Sequence, residues 1–173
     1  GYNIGSSTAT VYLADGTTET YAACTNPSGS DYATVPEGPY HAKVGMHKGA
    51  YTALRMEDTD GSGRIELGYE NPAYTDGRTY AAGINIHKPG ENNLTGLTVK
   101  KRPISAGCLL IDINSWNRFI GHFEAEDQKN NTVSVTVSRS LSEPVNVNRL
   151  PAFNFILNGT RESFFSRIKN RKL

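Results

Sequence analysis

The stretch YHAKVGMHKGAYTALRMEDTDGSGRIELGYEN, residues 40–71, decides whether this chain is built of strands or of helices. In YHAKVGMHKG and YTALRMED the apolar side chains alternate with polar ones, the period of a strand with one face inward. DTDGSG then joins Thr52–Glu57 to Arg64–Tyr69 and supplies the Asp and Gly that tight turns use, so a hairpin is predicted. The same residues partly fit a calcium loop, with Asp58, Asp60 and Ser62 at positions one, three and five and Gly63 at six. Position twelve is Tyr69 rather than a bidentate Glu, and the flanks read as strands, so the hairpin turn is preferred.

Outward from this hairpin the pattern repeats. TATVYLADG, TETYAACT and RIELGYEN are short alternating runs bounded by turn residues, and NTVSVTVSRS alternates with Val133, Val135 and Val137 facing one way. GINIHKPG is an apolar strand ending at His87 and stopped by Pro89 and Gly90. ENNLTGLTVKKRP is polar and reads as an exposed loop. One break in the β pattern is DINSWNRFIGHFEAE, where Trp116, Phe119, Ile120 and Phe123 fall at helical spacing, with Asn114 or Ser115 as cap. In the tail, RLPAFNFILNG reads as a strand or extended cover. RESFFSRIKNRKL reads as an amphipathic helix with Phe164, Phe165 and Ile168 inward and a basic, solvated face.

A length of 173 residues suits one domain. Its 18 Lys+Arg against 17 Asp+Glu give a net charge of +1, which supplies no field to draw nucleic acid or anionic lipid. Gly, Pro, Tyr, Thr and Ser are plentiful, as in a loop-rich, mainly β protein. No run of 18 apolar residues occurs, so neither a membrane span nor a signal peptide is visible in this chain. YAAC, ending at Cys24, has the small residues of a lipoprotein cleavage site, but VYLADGTTET before it is too polar for one. Cys24 and Cys108 are the two cysteines, and a disulfide between them stays open.

Chemistry points to PISAGCLLI, residues 103–111. A cysteine is a nucleophile when its thiolate is accessible and a base or positive field favours it. His87, at a strand end upstream, is the best placed of the four histidines. Gly107 lacks a Cβ, so a carbonyl substrate can approach the backbone and N–H groups near Gly107 and Cys108 can face an oxyanion. Ser105 is placed to hydrogen-bond the imidazole or the substrate. The plain alternative is a small core cysteine before Leu109, Leu110 and Ile111, with His87 a satisfied strand-end histidine. A zinc site from His41, His47, His87 and Cys108 lacks compact ligand spacing, so no metal and no cofactor is expected.

TVPEGPY, with Thr34, Pro36, Gly38 and Tyr40, then INIHKPG with His87, then ISAGC with Ser105, Gly107 and Cys108, form an ordered set. That set resembles the L,D-transpeptidase catalytic domain, a family of cysteine enzymes that remodel bacterial peptidoglycan. The resemblance implies a β-sandwich or barrel with one or two short helices and a core over about residues 8–137; it leaves 138–173 unassigned, and the tail is expected as a C-terminal, helical extension. It implies Cys108 as nucleophile, His87 as base, and Ser105 and Gly107 in the catalytic turn. Tyr40, Lys88, Arg102 and Ala106 are then expected at the substrate, a peptidoglycan stem peptide. The protein is expected to be a monomer, exported to the periplasm or cell surface of a bacterium or encoded by its phage, and to form a thioester that is passed to an amine or to water.

The chain departs from the family pattern at Ala106, where a His is usual, at Leu110, where Arg or Asn is usual, and at Gly90, displaced by Lys88 and Pro89. Those departures suit a second class of function, a degenerate domain that binds wall peptides or another protein. A wall-hydrolase cysteine peptidase would place Cys before His, and here His precedes Cys.

Overall fold

The structure is a computed structural model that describes residues 7–25, 32–92, 94, 97–125 and 128–138, and the backbone alone of 154–158. The protein is mainly β with one short helix. The strands are β1 (Ser7–Tyr12), β2 (Thr18–Cys24), β3 (Gly38–His47), β4 (Tyr51–Asp58), β5 (Arg64–Glu66), β6 (Tyr80–Ala82), β7 (Asn85–His87), β8 (Leu109–Ile111), β9 (Val133–Ser138) and β10 (Asn154–Asn158), and the helix is α1 (Trp116–Glu124).

Seven strands form one curled sheet in the order β9-β3-β4-β7-β8-β2-β1. The backbone of β10 pairs with both edges, antiparallel to β1 and parallel to β9. Alternation drives the curl: Ala9 and Val11 of β1, Leu54 and Met56 of β4, and Val133, Val135 and Val137 of β9 all bury on the inner face. The apolar stripe of α1, made by Trp116, Phe119, Ile120 and Phe123, packs into that same core. Burying each such side chain contributes about 1.5–3 kcal/mol, more than a helix cap supplies. This matters because Ser115 occupies the cap position without capping, its hydroxyl lying 3.2 Å from Asp112 Oδ2 instead.

Two expectations are corrected. Residues 64–66 do not pair with β4; β5 pairs with β6 in a separate two-stranded sheet. One edge of β4 is taken by β3 along its full length, and on the other β7 pairs with Leu54 and Arg55 while Met56 N–H donates to the Ile84 carbonyl at 2.9 Å. DTDGSG is a turn closed by carboxylates, with Gly63 N–H donating to Glu57 Oε2 at 3.0 Å and Glu66 N–H to Asp58 Oδ2 at 2.8 Å. The loop after His87 is not wholly exposed either. Val99 is 90% exposed, but Leu94 is buried against Cys24 and Leu110, forming a small second core on the outer face. In the tail, 154–158 is strand, and the helix expected in residues 161–173 lies outside the described residues.

Candidate functional site

β7 and β8 are parallel neighbours, with Ile86 opposite Leu109 and His87 opposite Leu110. Ile86 and Leu109 belong to the inner core, so Asn85, His87, Cys108 and Leu110 take the outer face. Cys108 stands one residue before β8 and its half-buried Sγ accepts the Asn85 N–H at 3.4 Å and faces the Gly83 carbonyl at 3.8 Å. The thiol is therefore tied to the start of the strand that carries His87.

The turn entering β8 has specific requirements. Ser105 is buried, donates its hydroxyl to the Cys108 carbonyl at 2.9 Å and accepts the Gly107 N–H at 3.3 Å. Gly107 has φ +124°, and a Cβ there would fall 2.9 Å from the Ala33 carbonyl oxygen. Glycine is needed for both reasons. The Gly107 N–H is spent on Ser105 rather than left free for an oxyanion.

His87 is buried and held by its Nδ1. Nδ1 lies 2.7 Å from the Lys88 carbonyl, and the Tyr51 hydroxyl lies 3.2 Å from Nδ1 while donating to the same carbonyl at 3.1 Å. A carbonyl only accepts, so Nδ1 carries the proton and Nε2 the lone pair. The imidazole and the thiol share no hydrogen bond among the described residues. His47, at the end of β3, stacks on His87 with centroids 4.0 Å apart and planes 18° apart. Its Nδ1 accepts from Asn85 Nδ2 at 3.3 Å, and Asn85 Nδ2 also donates to the Gly83 carbonyl at 3.1 Å.

Electrostatics keep this cluster neutral. Burial pushes His87 down to about 4, with His47 and Lys48 adding repulsion against the imidazolium. His47 is lowered too, by burial and then by Lys48. Burial raises the Cys108 thiol, against the hydrogen bonds from Asn85 and Ser105, which favour thiolate. Tyr51 is pushed up to about 12 by burial and by Cys108. The free protein thus holds a thiol and a neutral imidazole on one face of the sheet rather than an ion pair.

Of the residues expected at the substrate, Lys88 is here, its carbonyl orienting His87 and its Nζ 4.9 Å from the centre of the Tyr51 ring. Ala106 is exposed within the Ser105–Cys108 turn. Arg102 closes its own turn, accepting from Thr98 N–H at 2.7 Å and donating its N–H to Thr98 Oγ1 at 3.1 Å. Tyr40 is corrected: it is 4% exposed, sits in the inner core and donates to the Pro36 carbonyl at 2.9 Å. The alternation that places β3 inward at Ala42 also sends Tyr40 inward, away from the thiol. The two cysteines are free thiols, Cys24 buried beside Leu94 and Leu110.

Tyr51, Asn85 and Lys48 were not singled out from the sequence, and His47 was considered only as a zinc ligand. Asn85 had a usable signal, since residues two apart on a strand share a face and His87 is two along. The other three come from the β3–β4 hairpin, and only the β4–β7 pairing brings them to His87. No group of His, Cys, Asp or Glu able to hold a metal occurs among the described residues, and no helix there is long and apolar enough to cross a membrane. Comparison with protein-family models, curated proteins and solved structures found no match.

Proposed function

We propose that the protein is a cysteine acyltransferase of L,D-transpeptidase type acting on peptidoglycan stem peptides. One observation carries this reading. The Ser105-x-Gly107-Cys108 turn enters β8 beside the parallel strand that ends at His87, with both functional side chains on one outer face. About 7 Å of strand separates Asn85, which touches the thiol, from His87, so proton transfer between the thiol and the imidazole runs through one bridging water or substrate group.

The chemistry follows from these groups. As the Cys108 Sγ attacks the carbonyl preceding a terminal D-alanine, the thiol proton passes to His87 Nε2 and the oxyanion is met by Cys108 N–H. The carbonyl re-forms, the C–N bond breaks, and His87 returns the proton to the leaving D-alanine amine. An amine of a second stem peptide, or water, then attacks the thioester and restores the thiol, giving a cross-link or a trimmed stem. Lys88 O and Tyr51 hold the imidazole in the tautomer this requires. Such a substrate places the protein at the cell wall.

The direct assay is D-alanine release from a purified stem tetrapeptide. Release by the wild type, abolished in Cys108→Ala and reduced about 100-fold or more in His87→Ala, is expected from loss of the nucleophile and of the base. The neutral thiol and lowered histidine favour a second reading, a domain that keeps this site for binding wall peptides without turnover. Binding of the tetrapeptide with no D-alanine released would select it.

A further inference from the structure

His47 ends β3, and the chain turns back at once: Ala50 N–H donates to the His47 carbonyl at 2.9 Å, with Lys48 at φ +50° and Gly49 at φ +69°. Positive φ at both central residues is the geometry of the tightest hairpin turns, and a lysine rarely adopts it. The turn makes His47 and Tyr51 register partners, with rings 5.4 Å apart at 41°. Because β4 pairs with β7, both rings come to His87. Tyr51 meets it at the edge, its hydroxyl 3.2 Å from Nδ1, and His47 meets it at the face, with centroids 4.0 Å apart and planes 18° apart.

His47 is itself clamped. Asn85 Nδ2 gives one N–H to the Gly83 carbonyl at 3.1 Å and the other to His47 Nδ1 at 3.3 Å. A carbonyl only accepts, so the amide cannot be turned round without loss, and neutral His47 carries its proton on Nε2. This arrangement has a cost. Asn85 is 9% exposed and its Oδ1 has no hydrogen-bond partner, so one end of a buried amide stays unsatisfied while the other holds the ring, a state that calls for a reason beyond stability. Among the described residues no carboxylate pairs with either imidazole. The charged and titratable groups around the two rings are Lys48, Lys88, Tyr51 and Cys108, none of them an anion while the thiol is protonated.

We propose that His47 is a positioning residue for the base: clamped by Asn85, its ring lies against one face of His87 and keeps that imidazole in the plane and tautomer that leave Nε2 free to take a proton. The proposal rests on the acyl-transfer reading above and adds a residue to its machinery. A hydrogen bond at Nδ1 alone lets an imidazole rock about its Cβ–Cγ bond, because torsions of this kind have broad minima. A stacked ring removes that freedom, since rocking drives the two faces together. The same contact keeps water from one face of His87 and makes a charge on both rings at once costly.

The test compares His47→Ala, which removes the stacked ring, with His47→Phe, which keeps a ring and removes the hydrogen bond and the charge. Each is followed by D-alanine release from a stem tetrapeptide and by NMR spectra of the histidine side chains, which report tautomer and titration independently of turnover. In His47→Ala, kcat should fall about tenfold or more at unchanged KM. The His87 signal should lose its single Nδ1–H tautomer, and its midpoint should rise from about 4 toward 6.5. His47→Phe should stay close to wild type in kcat and tautomer. A His87 tautomer and midpoint unchanged in His47→Ala overturn the proposal, as does a loss in folded His47→Phe equal to that in His47→Ala. Spectra that change as expected in a protein that releases no D-alanine remove the acyl-transfer reading and keep the hold of His47 on His87. Release by His47→Ala at the wild-type rate keeps the reaction and removes the positioning role.

Discussion

His87 is buried and Cys108 half-buried by the elements around them, and burial disfavours a charge on either. In the proposed reaction the attack is then base-assisted, with the thiol proton transferred as the carbonyl is attacked rather than beforehand. The rate depends on pH accordingly. With His87 lowered to about 4, the acid limb of kcat/KM should fall near that value rather than near the ordinary histidine value of 6.5. The alkaline limb should lie above an ordinary thiol, because burial raises Cys108. An initial-rate profile from pH 3.5 to 10 reads both limbs, and an acid limb at about 6.5 would show an unshifted histidine instead. Gly107 gives a second expectation. Gly107→Ala forces a Cβ onto the Ala33 carbonyl at a positive φ, a strain of about 1–3 kcal/mol, seen as a lower Tm and a loss of activity together. The spacing of Ser105, Gly107, Cys108 and His87 could be read along the chain because each sits at the edge of a strand or turn with a local signature. His47, Tyr51 and Lys48 could not, because no local pattern reports a contact made across two strand pairings.

Single elements owe their places to partners more than to their own propensity. α1 has no side-chain cap, yet it is fastened to β2 by Arg118, which gives Glu19 two hydrogen bonds of 2.8 Å each. His122 Nε2 adds a contact of 3.0 Å to Glu19 Oε2, and the Tyr21 hydroxyl donates to the same oxygen. Arg118 first, then Tyr21 and His122, hold the Glu19 carboxyl down at about 2. The folded value is the lower one, so this contribution is whole above the ordinary value of 4.5 and is lost as pH falls toward about 2. Glu19→Gln should lower Tm modestly at pH 7 and leave little difference from wild type at pH 2.5; an equal deficit at both pH values would mean that the helix is held otherwise. The hairpin expected from DTDGSG failed for a reason visible only in the sheet, since β7 and Ile84 take the middle of the β4 edge along which the hairpin would have run. α1 was legible because four apolar residues at helical spacing leave little choice of face.

For the molecule as a whole, one face of the curled sheet is given to the main core, and the other carries Asn85, His87 and Cys108 beside the small core of Cys24, Leu94 and Leu110. Alternation predicted the strands and the mainly β class, but not which strands are neighbours, and that order makes the site. Acid should weaken the whole fold as well. His87 and His47 bind protons more weakly folded than unfolded, so stability is full above about 6.5 and falls as pH drops toward about 4. For His87 alone the loss approaches about 3 kcal/mol, and denaturant titrations at pH 7.5 and 4 should differ accordingly, with the difference reduced in His87→Gln. A flat stability between those pH values would mean that the histidine pair is solvated in the folded protein. The decisive observation is intact-mass spectrometry of the protein mixed with a stem tetrapeptide and quenched in acid. An added mass equal to the tetrapeptide less D-alanine, mapped to Cys108, released by hydroxylamine and absent in Cys108→Ala, is the expected thioester. Unmodified Cys108 at every quench time, with no D-alanine in solution, would mean that the cysteine is not a nucleophile toward this substrate.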